Sequence, residues 1–168
     1  MVRELSRRNL IRGQFTRAPR LPRPPYAIPE RDFRTRCQRC DDCIKSCDTG
    51  IIGKDEDGFP VLRFGHAKCT FCGACADACK SGALNINAPR SWTISAHIDE
   101  TCLSLVGTTC RACEESCGAD AIRFRLMTGG RALALVDENR CTGCGNCAVV
   151  CPSHSIKMEN SRVEEKVA

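Results

Sequence analysis

The 168-residue chain contains few aromatic side chains, which make up 5% of its sequence. So little aromatic material limits the conventional hydrophobic core that a chain of this length can build. The sequence also lacks an apolar run near the roughly 20 residues that a membrane-spanning helix requires. It has no glycine-rich phosphate loop, nucleophile elbow or paired-carboxylate pattern. We therefore expect a protein that is not an enzyme, has no transmembrane segment, and is stabilised by something other than a large core.

Cysteine is the residue that the chain has in excess, with 16 copies. Such a density indicates either a disulfide scaffold in a secreted protein or a set of metal sites. Arg7 and Arg8 resemble the paired arginines of a twin-arginine export signal, but the apolar stretch of roughly 7 to 15 residues that such a signal needs does not follow them. We therefore expect a cytoplasmic protein, in whose reducing surroundings dense cysteines favour metal.

The cysteines form four groups that recur along the chain at roughly 32 to 39 residues, which indicates four repeats of one structural unit. We number the groups in chain order: Cys37, Cys40, Cys43 and Cys47 form the first group, Cys69, Cys72, Cys75 and Cys79 the second, Cys102, Cys110, Cys113 and Cys117 the third, and Cys141, Cys144, Cys147 and Cys151 the fourth.

Three of the groups have the spacing Cys-x2-Cys-x2-Cys-x3-Cys, which is typical of bacterial ferredoxins with 4Fe-4S clusters. Two-residue gaps let a tight loop present three thiolates to three corners of a cubane. The fourth cysteine is expected to open a short helix and to face the neighbouring cluster. The sixteen cysteines therefore predict four 4Fe-4S clusters.

Zinc and disulfides are the alternatives to clusters. Zinc sites use four ligands, usually from two separated Cys-x2-Cys pairs, so a third cysteine at fixed spacing in a group is superfluous for zinc. The third group departs from the pattern, because seven residues separate Cys102 from Cys110. Cys102 is either a ligand at the end of a longer loop or a free cysteine beside a cluster with three protein ligands.

Apolar runs separated by turn residues lie between the cysteine groups and predict small hairpins. We expect residues 51–52 to pair with 61–64, 83–86 with 92–98 around a turn at 87–90, and 122–126 with 133–136. Alternation of apolar residues with arginines in 122–126 predicts a strand with one buried face. A weak last strand over 155–158 precedes a charged tail from Glu159.

These features predict an α+β fold of two tandem bacterial-type 2[4Fe-4S] ferredoxin-like halves with small hairpins and short helices. The expected divisions are a basic arm over residues 1–36, a first half over 37–90, a second half over 91–158 and a charged tail over 159–168. In this arrangement Cys47 and Cys79 exchange clusters, as do Cys117 and Cys151. Nested pairing, of the second group with the third and the first with the fourth, is the alternative.

The expected arm contains ten arginines against three acidic residues, a net charge of +7, and its proline-rich part over 12–36 is expected to be extended and solvated. The rest of the chain carries −2 before any cluster is counted. Nucleic acid would require a basic folded face, so we do not expect it as a partner. Arg7 and Arg8 are candidate partner-binding residues, and a plain solvated tail is the alternative.

Four stretches of the chain together carry a family resemblance. They are Ser6-Arg7-Arg8 with Gly13, Arg23-Pro24-Pro25-Tyr26, the run from Arg36 to Ile44, and the lengthened Cys102-x7-Cys110-Arg111-Ala112-Cys113. Through them the sequence resembles, over nearly its whole length, the NapF family, the ferredoxin-type accessory proteins of the periplasmic nitrate reductase system.

The resemblance implies a cytoplasmic protein that contacts the precursor of the catalytic subunit of periplasmic nitrate reductase before export and assists its maturation. It also favours Cys102 as a ligand. The alternative function is an electron-transfer subunit of a membrane-associated or molybdenum redox enzyme complex.

Overall fold

The structure, a computed structural model, describes residues 22–88 and 92–160. The helices in this part of the chain are α1 (Glu30–Arg36), α2 (Asp42–Lys45), α3 (Ala74–Asp77), α4 (Ala112–Glu115) and α5 (Asn146–Val150). The strands are β1 (Ile52–Lys54), β2 (Pro60–Leu62), β3 (Ile94–Ile98), β4 (Ile122–Leu126), β5 (Ala132–Val136) and β6 (Ile156–Asn160). Short helices and small antiparallel pairs confirm the α+β prediction.

Strands β1 and β2 form the first predicted hairpin, with Ile52 opposite Leu62. The Asp55 side chain shapes its turn, because Oδ1 accepts the backbone N–H groups of Asp57 at 3.1 Å and Phe59 at 2.8 Å. An aspartate that bonds the backbone two residues on is a common way to stabilise a turn. The first hairpin prediction is therefore confirmed, although each strand is only three residues long.

Strands β4 and β5 form the other confirmed hairpin, in which Ile122 lies opposite Val136. Gly129 and Gly130 at its turn have φ values of 72° and 69°, a left-handed conformation that glycine adopts without steric cost. The buried face is shorter than its sequence pattern predicts. Ile122 is 2% exposed, whereas Leu126 at the far end of the strand is 78% exposed.

The predicted middle hairpin is wrong. Strand β3 pairs with β6, not with residues 83–86, and Leu84 instead forms an isolated antiparallel bridge with Ala27. Each half is thus closed by pairing a segment before its first cysteine group with a segment after its second. Apolar runs identify strands but not their partners. The prediction therefore paired residues 92–98 with the run that lies nearest along the chain. Residues 89 and 90 of the predicted turn lie outside the described residues.

Residues 22–36 are folded onto the first half, which corrects the prediction that this stretch is an extended, solvated part of the arm. Glu30 to Arg36 form α1, and Phe33 on this helix is fully buried. The Pro22 carbonyl accepts the Leu62 backbone N–H at 2.8 Å. The apolar side chain of Phe33 and backbone pairing at Ala27 bind this segment despite its arginines. Residues 1–21, including Arg7 and Arg8, lie outside the described residues.

The charged tail also begins later than predicted, because Glu159 and Asn160 still pair with Ser95 and Ile94. Residues 161–168 lie outside the described residues. Buried side chains form two clusters, one centred in each half. Ile94 of β3 belongs to the cluster of the first half, and Met158 packs against both clusters. Over residues 22–88 and 92–160, none of the helices combines the length and apolar character needed to cross a membrane.

Candidate metal centre

The third cysteine of every group lies on a short helix, and the two helices of each half pack against each other. Helix α2 contacts α3 in the first half, and α4 contacts α5 in the second. The fourth cysteine follows the helix and does not open it, which corrects the sequence prediction. In three of the four groups a left-handed residue turns the chain just before the helix, as Gly145 does with φ of 82° before α5, so the helix starts earlier.

The cysteine loops have an unusual backbone. The residue before the second cysteine is in the left-handed region in three groups, with φ of 56° at Arg39, 55° at Phe71 and 72° at Gly143. Left-handed residues among ordinary ones turn successive N–H groups toward one side of a loop and form a concavity that favours anions. Two of these residues carry side chains and are therefore strained. Such strain fits a loop shaped around negatively charged sulfides.

The cysteines on the helices are poorly suited to exist as bare thiolates. Burial, followed by the charge of neighbouring thiolates, raises the pKa of Cys43 and Cys113 to about 11 and that of Cys75 and Cys147 to about 12. A cation is needed to hold these sulfurs in the ionised form that binds metal. Metal binding and folding are therefore expected to be coupled at these positions.

The fourth cysteines have the opposite environment. Burial is the largest single influence on Cys47, Cys79 and Cys151 and would raise the pKa, but hydrogen bonds outweigh it and lower the pKa. The Leu84 N–H donates to Cys79 Sγ at 3.3 Å, and the Ser155 hydroxyl lies 3.3 Å from Cys151 Sγ. These donors stabilise thiolates at the fourth position.

Neighbouring groups share their surroundings within a half, as sequential pairing predicts. The thiolates of Cys37 and Cys79 both raise the pKa of Cys43, after burial, so the fourth cysteine of the second group lies near the first group. Cys47 acts in the same way on Cys75 of the second group. The first half therefore brings together the cysteines that the exchanged arrangement requires.

In the lengthened third group, the residues between Cys102 and Cys110 fold so that Cys102 lies near the other cysteines of the group. Cys102 is 9% exposed, and its carbonyl accepts the backbone N–H groups of Leu105 at 3.0 Å and Val106 at 3.2 Å. The Ser104 hydroxyl bonds the Cys110 backbone in both directions. Cys102 is also the largest electrostatic influence, after burial, on the pKa of Cys113. The seven intervening residues thus form a compact turn, which favours Cys102 as a ligand.

The cysteines fit multi-iron clusters better than the alternatives. None of the sixteen is in a disulfide in the structure. Across residues 22–88 and 92–160, no three His, Cys, Asp or Glu side chains come close enough to hold a single metal ion. A cubane holds its four thiolates farther apart than one zinc ion does, because iron and sulfide lie between them. Clusters are favoured over zinc by the spacing of the cysteines along the chain, which is typical of 4Fe-4S ferredoxins.

Two features beside the cysteines were not foreseen from the sequence. Arg23 donates to Glu30 Oε1 and Oε2 at 2.9 and 3.0 Å and to Asp55 Oδ2 at 2.9 Å, which ties the segment before α1 to the first hairpin. The Cys69 N–H donates to the Cys144 carbonyl at 2.8 Å, which joins the second cysteine group to the fourth. The sequence signal that could have indicated this contact is the pair of glycines on either side of Cys144.

Comparison with known proteins agrees with this geometry. The model of the 4Fe-4S dicluster domain family matches residues 36–83 and 108–163, and each match contains most or all of two neighbouring cysteine groups. The fold and the cysteine loops thus define a ferredoxin-type iron-sulfur protein with tandem dicluster halves.

Full-length relatives identify the family. The ferredoxin-type protein NapF of Escherichia coli (strain K12) is 35% identical over 93% of this chain and 95% of its own length. The ferredoxin-type protein NapF of Haemophilus influenzae is 38% identical over 98% and 99%. The methylamine utilization ferredoxin-type protein MauM of Methylorubrum extorquens is 33% identical over 77% of this chain and 67% of its own length. The chain therefore belongs to the family of NapF ferredoxin-type proteins, as its sequence motifs predicted.

Proposed function

We propose that this chain is a cytoplasmic accessory protein with four 4Fe-4S clusters, which binds the precursor of the catalytic subunit of periplasmic nitrate reductase before export and assists its maturation by electron transfer. The observation that carries this proposal is the pairing of cysteine groups in two dicluster halves within a chain that is similar to NapF over nearly its full length. The proposal includes no substrate site of the protein's own.

The proposed ligands are all sixteen cysteines. In the first half, Cys79 completes the site of the first group and Cys47 that of the second. In the second half, Cys151 completes the site of the third group and Cys117 that of the fourth. A bound 4Fe-4S cluster accepts and releases one electron at a time. The chain would supply the thiolates, five of them from buried cysteines, and the surrounding loop N–H groups, both of which tune such a cluster.

Metal analysis tests the cofactor assignment. Anaerobically purified protein should contain about 16 iron and about 16 sulfide per chain, as four cubanes require. Zinc with negligible sulfide would contradict the assignment.

Binding to the precursor tests the partner assignment. We propose that Arg7 and Arg8 contact carboxylates of the precursor, because arginine forms paired hydrogen bonds with carboxylates. The full-length chain should bind the purified precursor, and binding should weaken as salt increases. The matched control for Arg7→Gln/Arg8→Gln is Arg17→Gln/Arg20→Gln, which removes the same charge farther along the arm.

The structure also defines the informative truncation. Deleting residues 1–36 would remove α1 and the Arg23 ion pairs, so lost binding could reflect an unfolded first half. Deleting residues 1–21 leaves every described contact in place. If this shorter deletion and the Arg7/Arg8 variant both retained full, salt-sensitive binding, the arm would have no role in docking. A partner other than the precursor, captured as a stable complex, would favour the alternative of an electron-transfer subunit.

A further inference from the structure

The two halves meet at two cysteine loops. Besides the hydrogen bond from Cys69 to Cys144, the Trp92 indole N–H donates to the Thr142 carbonyl at 2.8 Å. The indole also packs edge-on against Phe71, with ring centroids 5.5 Å apart and an interplanar angle of 82°. Trp92 therefore lies between the second and fourth cysteine loops and contacts both.

The fourth loop is shaped to admit this neighbour. Gly143 occupies the position that Arg39 and Phe71 occupy in the first two groups, with a similar positive φ, so the backbone there does not itself require glycine. A Cβ at Gly143 would lie closer than 3 Å to the Trp92 indole and to the Ile94 carbonyl. Glycine is needed because the indole and β3 occupy that space.

Gly145, in the second half, lies directly against a side chain of the first half. Gly145 follows the second cysteine of its group, and a Cβ there would overlap the ring of Phe64, which follows β2 in the first half. Gly73 is the equivalent residue of the second group, with φ of 86° against 82° at Gly145. A Cβ at Gly73 would meet only the terminal methyl of Ile86, whose side chain is half exposed.

We propose that these contacts form a fixed junction which places the cluster sites of the second and fourth groups next to each other, so that the four sites form one path in the order first, second, fourth, third. The inference rests on the proposed clusters. Within each half the two sites are neighbours through their packed helices, and the junction supplies the remaining link. Trp92 is a positioning residue in this arrangement.

The path differs from chain order and has defined ends. The Cys69–Cys144 hydrogen bond connects two ligand residues through their own backbones, which gives a short bonded route between the middle sites. The first and third groups become the ends, where partners exchange electrons with the protein. Each transfer moves one electron, oxidising one cluster and reducing its neighbour. A low-potential one-electron donor at one end and an acceptor at the other complete the balance.

The matched pair Gly145→Ala and Gly73→Ala tests the junction. Both variants place alanine at a positive φ directly after a second cysteine, so the local strain is the same. Only Gly145→Ala overlaps the other half. The full-length chain is purified anaerobically, its iron is measured, and the dithionite-reduced protein is studied by electron paramagnetic resonance. Hydrogen exchange at the Cys69 amide is measured by mass spectrometry of the peptide that contains it.

In Gly145→Ala, the Cys69 amide should exchange about tenfold faster than in the parent, which corresponds to about 1.4 kcal/mol of lost protection. The magnetic interaction between reduced clusters should weaken while iron content is retained. Gly73→Ala should match the parent in both measurements. Equal behaviour of the two variants, whether both unchanged or both impaired, would overturn the junction.

Trp92→Ala keeps the test decisive if Gly145→Ala fails to fold, because this substitution removes packing without introducing overlap. It should also speed Cys69 amide exchange and weaken the magnetic interaction, and parent-like values would overturn the proposal. Parent protein that contained no iron and sulfide would refute the proposed clusters. Hydrogen exchange at the Cys69 amide would still test the junction in protein without clusters.

Discussion

The two halves present the same kind of cysteine loop on different supports. In the first half, a single bridge between Ala27 and Leu84 takes the place of a strand pair, and α1 with the buried Phe33 adds a small core beside the loops. In the second half, β3 and β6 pair over five residues, and β4 and β5 do the same. The first half therefore depends more on side-chain packing, and the second more on backbone hydrogen bonds.

The charged side chains beside the hairpins also differ between the two halves. The three-residue strands of the first hairpin are buried apart from Lys54 and Gly53, and Asp55 and Asp57 beside them have arginine partners. The second hairpin has exposed arginines on β4, where Arg123 reaches Asp120 only at 3.8 Å. The comparison shows that a repeated ligand spacing does not require a repeated scaffold. We expect bound metal to organise both halves, so that each half needs only enough additional structure to position its cysteines.

Phe33→Ala should have the largest effect and should act on the first half alone. Phe33 is fully buried and packs against Phe59 with ring centroids 6.2 Å apart, so we expect a loss of about 3 to 5 kcal/mol of unfolding free energy. Iron should leave the first half at a lower temperature than the second, followed by absorbance during heating. The control is Phe124→Ala on β4, where the ring is half-buried and the loss should be smaller. Equal losses would remove the distinction between the halves.

Cys102→Ser should remove one cluster and leave three. We expect iron content to fall by about a quarter, from about 16 to about 12 per chain, because the other groups keep all their cysteines. Cys40→Ser is the matched control in the first half, at a group with the ordinary spacing, and should have the same effect. Unchanged iron and spectra in Cys102→Ser, with a loss in Cys40→Ser, would show that Cys102 is a free cysteine.

Arg23→Gln should have the smallest effect and should again distinguish the halves. The Arg23 side chain is 14% exposed, and its loss leaves the Asp55 carboxylate without this cation and Glu30 with the more distant Arg34 at 3.7 Å. We expect a destabilisation of about 2 kcal/mol in chemical denaturation, with iron content unchanged. Arg125→Gln on the second hairpin is the control and should change stability by less than about 0.5 kcal/mol. A matching loss in the control would mean that net charge, and not the ion pairs, is responsible.

The sequence was most informative where covalent spacing determines geometry. The gaps within Cys37 to Cys47 predict a tight loop, and the turn residues around Gly58 and Gly129 predict hairpins between strands that are close in the chain. It was less informative where partners are distant. Nothing local indicates that Leu84 pairs with Ala27, or that β3 crosses the second half to β6. Arginine and proline likewise predicted a solvated segment at 22–36, and tertiary packing of Phe33 overrode that local preference.

The hydrogen bond between the Pro22 carbonyl and the Leu62 N–H fixes the position of the first residue that the structure describes. Because the chain is continuous, anything that binds residues 1–21 is confined to a limited volume around this fixed position. Twenty-one residues reach at most about 75 Å. A partner bound near Arg7 and Arg8 would therefore be present beside the folded halves at a high effective concentration, and weak contacts there would suffice to complete docking.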